Sequence, residues 1–481
     1  IGILVLVGFL IYSPHLGYRF PIHLDEWVHL DWAVHTIDKE GYMEKNELFT
    51  RTKLPAHEVG FHVFLSEIFL MTGVDPVLNF RYLAAFSAII TAFLLFVIVV
   101  NITKNYYTGI FAMLFFGSLR SNLNILGNWF FVPFVFCFPL IYLFSFSTIK
   151  GIKNKKFLII SIFILFVMYF IHVQAAMLSS LVFIIYLTIN YKKTKKNFKF
   201  LLIFGLILIL VLFFYSSVFW KGSLLNFIKD ILSALLFKGH GAGPGVNYSL
   251  IWFYGLVPFV LASLGIIKCM QKKEEKFWIV WIFLTAAFIF SFNLSKISIL
   301  VNYRRLIYFT LIGLVPLSAI GLSAVLSYLK LKLKKKIKQK KILGIIILIL
   351  ILIIFISSYW SYYKIPGNLK IFYLIDESEY ESIKWLEENH GSYNTVFAPK
   401  WLSETIYPIS KNYVDHNKVK GSVNKKNEFF DGDCKTKLDI IKEFKIDFVF
   451  TEERIFCSKF LELSYNNSVF IYEYKNRNLT E

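Results

Sequence analysis

Residues 77–101 read VLNFRYLAAFSAIITAFLLFVIVVN. After Arg81 the run carries no charge as far as Asn101. A helix that is apolar on all sides belongs in a large core or in a bilayer. A run of about 20 such residues matches a ~30 Å hydrocarbon core. The same pattern returns at 107–121, 126–148, 157–173, 175–190, 200–218, 249–267, 278–294, 305–327 and 342–360. A shorter run, 1–12, opens the chain. As a helix it would rise only about 18 Å, so we expect the natural protein to extend before Ile1, which is not a Met. No basic segment or small-residue cleavage site marks a signal peptide there. The 481 residues are 56% hydrophobic and only 17% charged, against about a quarter charged in soluble domains. The expectation is an α-helical polytopic membrane protein of about 11 spans.

The net charge of +20 raises a nucleic-acid reading, which the position of the charges excludes. Residues 361–481 hold 17 Lys and Arg against 19 Asp and Glu. The positive excess therefore lies among the spans. It falls mainly at Lys104, Lys150–Lys156, Lys192–Lys199, Lys268–Lys276 and Lys330–Lys341. Short Lys-rich loops between apolar spans mark the cytoplasmic side. A nucleic-acid patch would be continuous and solvent-facing. With the first run directed outward, every Lys-rich loop lands on one side. Residues 13–76, 219–248, 295–304 and 361–481 land on the other.

The domain reading is thus a transmembrane domain over 1–360 and an extracytoplasmic α/β domain over 361–481. The outer loop 13–76 is too long for a connector and holds 10 acidic against 5 basic residues. Two amphipathic helices are read in it, His23–His35 and 57–71, of the kind that lies in the interface plane. In the tail, helices are read at Ser378–Asn389, Leu402–Tyr407 and Thr436–Phe444. Strands are read at Thr395–Ala398, Asp447–Thr451 and Ser468–Tyr474. Ser378 with Glu381 fits a capping box. Cys434 and Cys457 share this domain, and outside the cytoplasm one disulfide between them is as plausible as two thiols.

The first chemical constellation is His23-Leu24-Asp25-Glu26-Trp27-Val28-His29. It follows the first run almost directly, which puts its carboxylates at the outer membrane surface. Asp25 and His29 lie one helical turn apart. Adjacent carboxylates near lipid are costly, so they suit a general base, a metal ligand, or a helix cap with a solvated acidic face. Downstream stand Pro55-Ala56-His57-Glu58-Val59-Gly60-Phe61-His62, then Gly73-Val74-Asp75-Pro76, then Arg81-Tyr82 opening the next span.

At these residues the chain resembles the C-type glycosyltransferase superfamily. The resemblance implies an outward first span, an Asp-Glu pair, a long outer loop with interfacial helices, and an Arg at the start of the second span. Asp25-Glu26 with His29 looks like the protein O-mannosyltransferases and the lipid A aminoarabinose transferases. The C-terminal outer domain looks like that of the oligosaccharyltransferase catalytic subunit. That subunit's Trp-Trp-Asp signature is absent, Lys400-Trp401-Leu402-Ser403 standing near its place, which argues against N-glycosylation of sequons.

The second constellation is Tyr303-Arg304-Arg305 at the outer end of a span. Paired Arg on that side runs against the charge trend, and a guanidinium fork suits a phosphate. By resemblance it is the donor-lipid phosphate site; the plainer reading is snorkelling to headgroups. The expected catalytic residues are Asp25 and Glu26. The expected binding residues are Arg304, Arg305, Tyr303, His29, His57, His62, Arg81 and His172. Asp25 and Glu58 are the candidate metal ligands, for Mg2+ or Mn2+. The Gly-rich stretch Gly239–Gly245 is read as a lid or a flexible loop.

The function expected is transfer of a sugar from a polyprenyl-phosphate donor to a protein, glycan or lipid acceptor on the outer face. A polysaccharide polymerase or ligase would place its large outer loop late in the chain. A transporter would carry ionisable residues near the midplane and repeat-related halves; here they sit at the span ends.

Overall fold

The computed structural model describes residues 1–38, 58–122, 124–195, 205–206, 210, 236–238, 249–271, 276–332, 349, 353, 373–399, 402–414, 422–467 and 469–475. The first part of the chain runs through α1 (Gly2–Tyr12), α2 (Leu24–Asp38), α3 (Val59–Thr72), α4 (Arg81–Thr103), α5 (Tyr106–Gly117), α6 (Pro133–Gly151), α7 (Lys155–Ile171) and α8 (Val173–Ile189). It continues through β1 (Leu236–Lys238), α9 (Leu256–Met270), α10 (Lys276–Ser295), β2 (Ile297–Ile299) and α11 (Tyr303–Lys332). The last part holds α12 (Glu377–His390), β3 (Thr395–Phe397), α13 (Ser403–Ser410), β4 (Tyr413–Val414), α14 (Ser422–Asp431), α15 (Cys434–Phe444), β5 (Phe448–Thr451), β6 (Leu461–Asn466) and β7 (Phe470–Tyr474). Among the described residues α4, α6, α10 and the Tyr303–Leu329 part of α11 are long and apolar enough to cross a membrane. The spans expected at 200–218 and 342–360 lie largely outside the described residues, as does the Gly-rich stretch.

The chain forms two compact units. One holds Ile1–Leu16 and Tyr82–Asn368; the other holds Gly17–Arg81 and Leu369–Glu481. The outer loop therefore groups with the C-terminal residues, a pairing that the linear division at residue 360 does not express.

The first unit is a helix bundle joined where side chains are smallest. A Cβ added at Gly265 would lie 1.9 Å from the Leu317 carbonyl oxygen, and one at Gly321 would lie 1.9 Å from that of Leu261. The backbones of α9 and α11 thus touch, as in tightly packed membrane helices. Ser318 donates to the Pro258 carbonyl at 2.7 Å and accepts from the Tyr254 hydroxyl at 2.5 Å. Pro316 inside α11 has no N–H for the Ile312 carbonyl. The Tyr142 hydroxyl of α6 donates there instead, at 2.8 Å. In a bilayer such a carbonyl has no water to turn to.

The second unit carries a five-stranded sheet in the order β4-β3-β5-β7-β6. β3 runs parallel to both β4 and β5, while β5–β7 and β7–β6 are antiparallel. Phe397, Phe429, Ile440, Ile441, Val449 and Tyr472 are buried together against the helices. Cys434 and Cys457 are disulfide-bonded, with their Cα atoms 5.5 Å apart. The capping box of α12 lies two residues before the expected one. Asp376 accepts from the Glu379 N–H at 2.8 Å, and Glu379 accepts from the Asp376 N–H at 2.6 Å. An Asp at the N-cap competes better than Ser378 two residues inside. Burial raises the Glu379 carboxyl to about 7. Three elements went unread in the sequence: β4, α14 and β6.

Candidate functional site

Within the second unit, α2 carries the first constellation. Its start is capped reciprocally. The Asp25 N–H donates to His23 Nδ1 at 3.0 Å, and the Glu26 carboxylate accepts from the N–H groups of Ile22 and His23 at 3.0 and 3.1 Å. This is capping-box logic with an imidazole in the Ser position. It explains why a carboxylate at Glu26 is fully buried. His23 Nδ1 lies 3.9 Å from an Asp25 carboxylate oxygen. A nitrogen that accepts a hydrogen bond has no proton to give that oxygen, so we do not read an ion pair there. The Asp25 side chain, between the two capping groups, is 44% exposed.

One turn on, α2 meets α3. His29 Nδ1 lies 3.0 Å from His62 Nε2 and 4.0 Å from a Glu58 carboxylate oxygen. The ligand atoms of His29, Glu58 and His62 all fall within 4.8 Å of one another. His29 and His62 are buried. Phe61 meets the His29 ring edge-on at 5.3 Å, and Trp32 lies 6.4 Å from the His62 ring. Two imidazoles and a carboxylate in an apolar surround suit a borderline-soft cation such as Zn2+ better than Mg2+. The group that converges is therefore His29–Glu58–His62, where the sequence reading paired Asp25 with Glu58. Of the readings open for α2, a helix cap with a solvated acidic face does not fit the burial of Glu26, His29, Asp31 and His35. His57 lies outside the described residues. Arg81 opens α4 and is half-buried.

Within the first unit, residues distant in sequence come together at the starts of α8 and α11. His172 caps α8, its Nδ1 accepting from the Ala175 N–H at 3.2 Å. Asn302 caps α11, accepting from the Arg304 N–H at 3.0 Å. Gln174 ties the two ends, its side-chain oxygen accepting from the Asn302 N–H at 3.2 Å. The Arg305 guanidinium donates to the Ile125 carbonyl at 2.5 Å and lies over the Phe134 ring at 5.2 Å. That ring is 5.8 Å from His172. Arg304 Nε is buried with no hydrogen-bond partner among the described residues. Tyr303 is buried, stacked on Phe292 at 4.1 Å. Two joined helix N-termini, with Arg304 and Arg305 in the first turn of α11, favour an anion. Gln174 and Asn302 were not singled out in the sequence as site residues. A polar residue beside each candidate, at a span end, was the available signal.

No family model matches this chain, and no curated protein resembles it in sequence. Solved structures do resemble it. One is the archaeal oligosaccharyltransferase AglB from Archaeoglobus fulgidus, in complex with an inhibitory peptide and a dolichol-phosphate. It is 9% identical, with a TM-score of 0.58 over 94% of this chain and 69% of that one. The same enzyme in complex with Zn and sulfate gives 10%, 0.52, 94% and 68%. ArnT from Cupriavidus metallidurans bound to undecaprenyl phosphate gives 10%, 0.61, 98% and 97%. The chain therefore has the fold of the C-type glycosyltransferases.

Proposed function

We propose that this protein is an integral-membrane glycosyltransferase that takes a sugar from a polyprenyl-phosphate-linked donor on the extracytoplasmic face. The observation that carries the reading is the Arg304–Arg305 pair at two joined helix N-termini, on a fold whose solved relatives hold a dolichol-phosphate and undecaprenyl phosphate. About 11 spans surround the prenyl tail, as read from the sequence. The C-terminal residues face the oxidising side, in keeping with the Cys434–Cys457 bond.

In the reaction Asp25 takes the proton from an acceptor hydroxyl or amide. The acceptor atom bonds to the sugar C1 as the C1–O bond to phosphate breaks, with inversion. The electron pair leaves on the prenyl phosphate, whose charge Arg304 and Arg305 offset. Glu26 holds the start of α2. His29, Glu58 and His62 would hold a divalent cation, which when bound supplies positive charge near the reacting groups. That donor set favours Zn2+ over the Mg2+ or Mn2+ expected from sequence.

Donor binding tests the reading. Replacing Arg304 and Arg305 together by Ala should weaken binding of a polyprenyl-phosphate sugar by about 2–5 kcal/mol if the charges meet in a desolvated site. Titration of nanodisc-held protein with the donor measures it. Unchanged affinity would leave the pair as headgroup snorkels and withdraw the assignment.

A further inference from the structure

The far end of α2 is held as firmly as its start. Asp38, its last residue, has a side chain only 5% exposed. A buried carboxylate needs compensating donors. It has two hydroxyls, from Tyr393 at 2.6 Å and Tyr407 at 2.9 Å, with the Lys411 ammonium at 3.5 Å. Hydroxyl bonds to an ionised acceptor are short and strong. Tyr407 is also 3.0 Å from His35 Nδ1, one turn back on α2. Because the Tyr407 hydroxyl donates to Asp38, it accepts from His35, which places the His35 proton on Nδ1. Burial and the Asp38 charge push the Tyr407 hydroxyl well above the usual tyrosine range. It therefore stays a donor at any working pH. Tyr393, Tyr407 and Lys411 all come from the C-terminal residues, more than 350 positions along the chain.

α2 is a 15-residue helix, a rod about 22 Å long. It carries Asp25 and His29 near one end and Asp38 at the other. We infer that Asp38, gripped by the Tyr393 and Tyr407 hydroxyls, is a positioning residue through which the C-terminal residues set the placement of Asp25 and His29. The proposal rests on the glycosyltransferase reading for its catalytic consequence, and on the geometry alone for its mechanical one. A packing role would be served equally by phenylalanine rings. A clamp built from two hydroxyls on one carboxylate fixes both the rotation and the axial position of the helix. Misplacing a reacting group by about 1 Å is enough to cost about 10²-fold in rate.

The test is the full chain in nanodiscs with Tyr393→Phe and Tyr407→Phe combined, which keeps both rings. Two readouts are taken. Amide hydrogen exchange over residues 24–30 reports the placement of the distant end of α2. Steady-state kinetics with the prenyl-linked donor report its consequence. The expected result is exchange faster by about 10-fold at 24–30, with strands β5 and β7 unchanged. kcat should fall by about 10²-fold with the KM for the donor unchanged. Tyr393 is 46% exposed, so Tyr393→Phe alone serves if the double variant does not fold. Unchanged exchange at 24–30 overturns the clamp, whatever the activity. Faster exchange with undiminished kcat overturns the positioning role. A wild-type chain that cleaves no prenyl-linked donor sinks the glycosyltransferase reading instead, and the exchange result still decides the clamp.

Discussion

The two units of this molecule solve the problem of buried polar groups in opposite ways. In the bundle, hydroxyls bond to backbone carbonyls of other segments, and backbone contact comes from the absence of side chains. Gly265 and Gly321 let two backbones touch, and one tyrosine repairs the carbonyl that Pro316 orphans. In the other unit, charge is taken inside and paired: Glu26 on backbone N–H groups, Asp38 on hydroxyls, His29 beside Glu58 and His62. Lipid offers polar atoms no alternative partner, and Tyr142 and Ser318 reach carbonyls of neighbouring helices instead. Water-facing structure tolerates buried charge where every group is satisfied. The difference teaches where to look for chemistry. In the bundle Arg304 and Arg305 stand at a span end, where we propose an anion is held. The other unit places Asp25 and His29, the groups proposed for proton transfer, on a helix held at both ends.

The contrast breaks most sharply at the glycine crossing. Gly321→Leu drives a side chain into the Leu261 carbonyl, a collision with backbone rather than with a rotamer. We expect a loss of about 3 kcal/mol or more, seen as a lowered unfolding temperature of the reconstituted protein. Residues 422–475 should keep their hydrogen-exchange protection. If the variant is as stable as the parent, the helices are not in backbone contact.

Reduction probes the other side. The Cys434–Cys457 bond closes a 23-residue separation, a constraint worth about 3 kcal/mol on loop-entropy grounds. Paired Cys→Ser substitutions should lower denaturant stability of the sheet-containing unit by roughly that amount. The bundle should be untouched. An effect felt equally by both units would show that they unfold as one.

The smallest effect is at α12. Asp376→Ala removes the side-chain acceptor for the Glu379 N–H and should cost about 1 kcal/mol. Ser378→Ala, two residues inside, should be near-neutral. A reversed order would restore the Ser378 cap that the sequence suggested.

Much of this was legible beforehand, and for a physical reason. A span must be apolar all round for some 20 residues, so hydropathy alone locates α4, α10 and α11 to within about five residues, whereas α6 starts at Pro133, seven residues after the expected 126. The sheet was half legible. β5 and β7 are runs of aromatic and β-branched residues, whereas β4 is two residues long and β6 carries Glu462 and Ser464 on an outer strand. The candidate site was legible as residues but not as a set. Asp25, Glu26 and His29 stand together in the sequence, yet Glu58 and His62 join His29 only through folding. Glu26 reads like a catalytic partner of Asp25 because capping and catalysis ask for the same residue type. Which role it takes depends on the backbone N–H groups of residues 22 and 23.

In the proposed reaction Asp25 serves as the base in transfer from a prenyl-phosphate donor. Purified protein in nanodiscs should be incubated with a panel of polyprenyl-phosphate sugars and an acceptor extract, and released prenyl phosphate quantified. The parent chain should release prenyl phosphate from at least one donor. Asp25→Asn should bind that donor normally and release it about 10²–10⁴-fold more slowly. Release by Asp25→Asn at the parent rate, or no release from any donor by a folded parent chain, would contradict the proposed reaction.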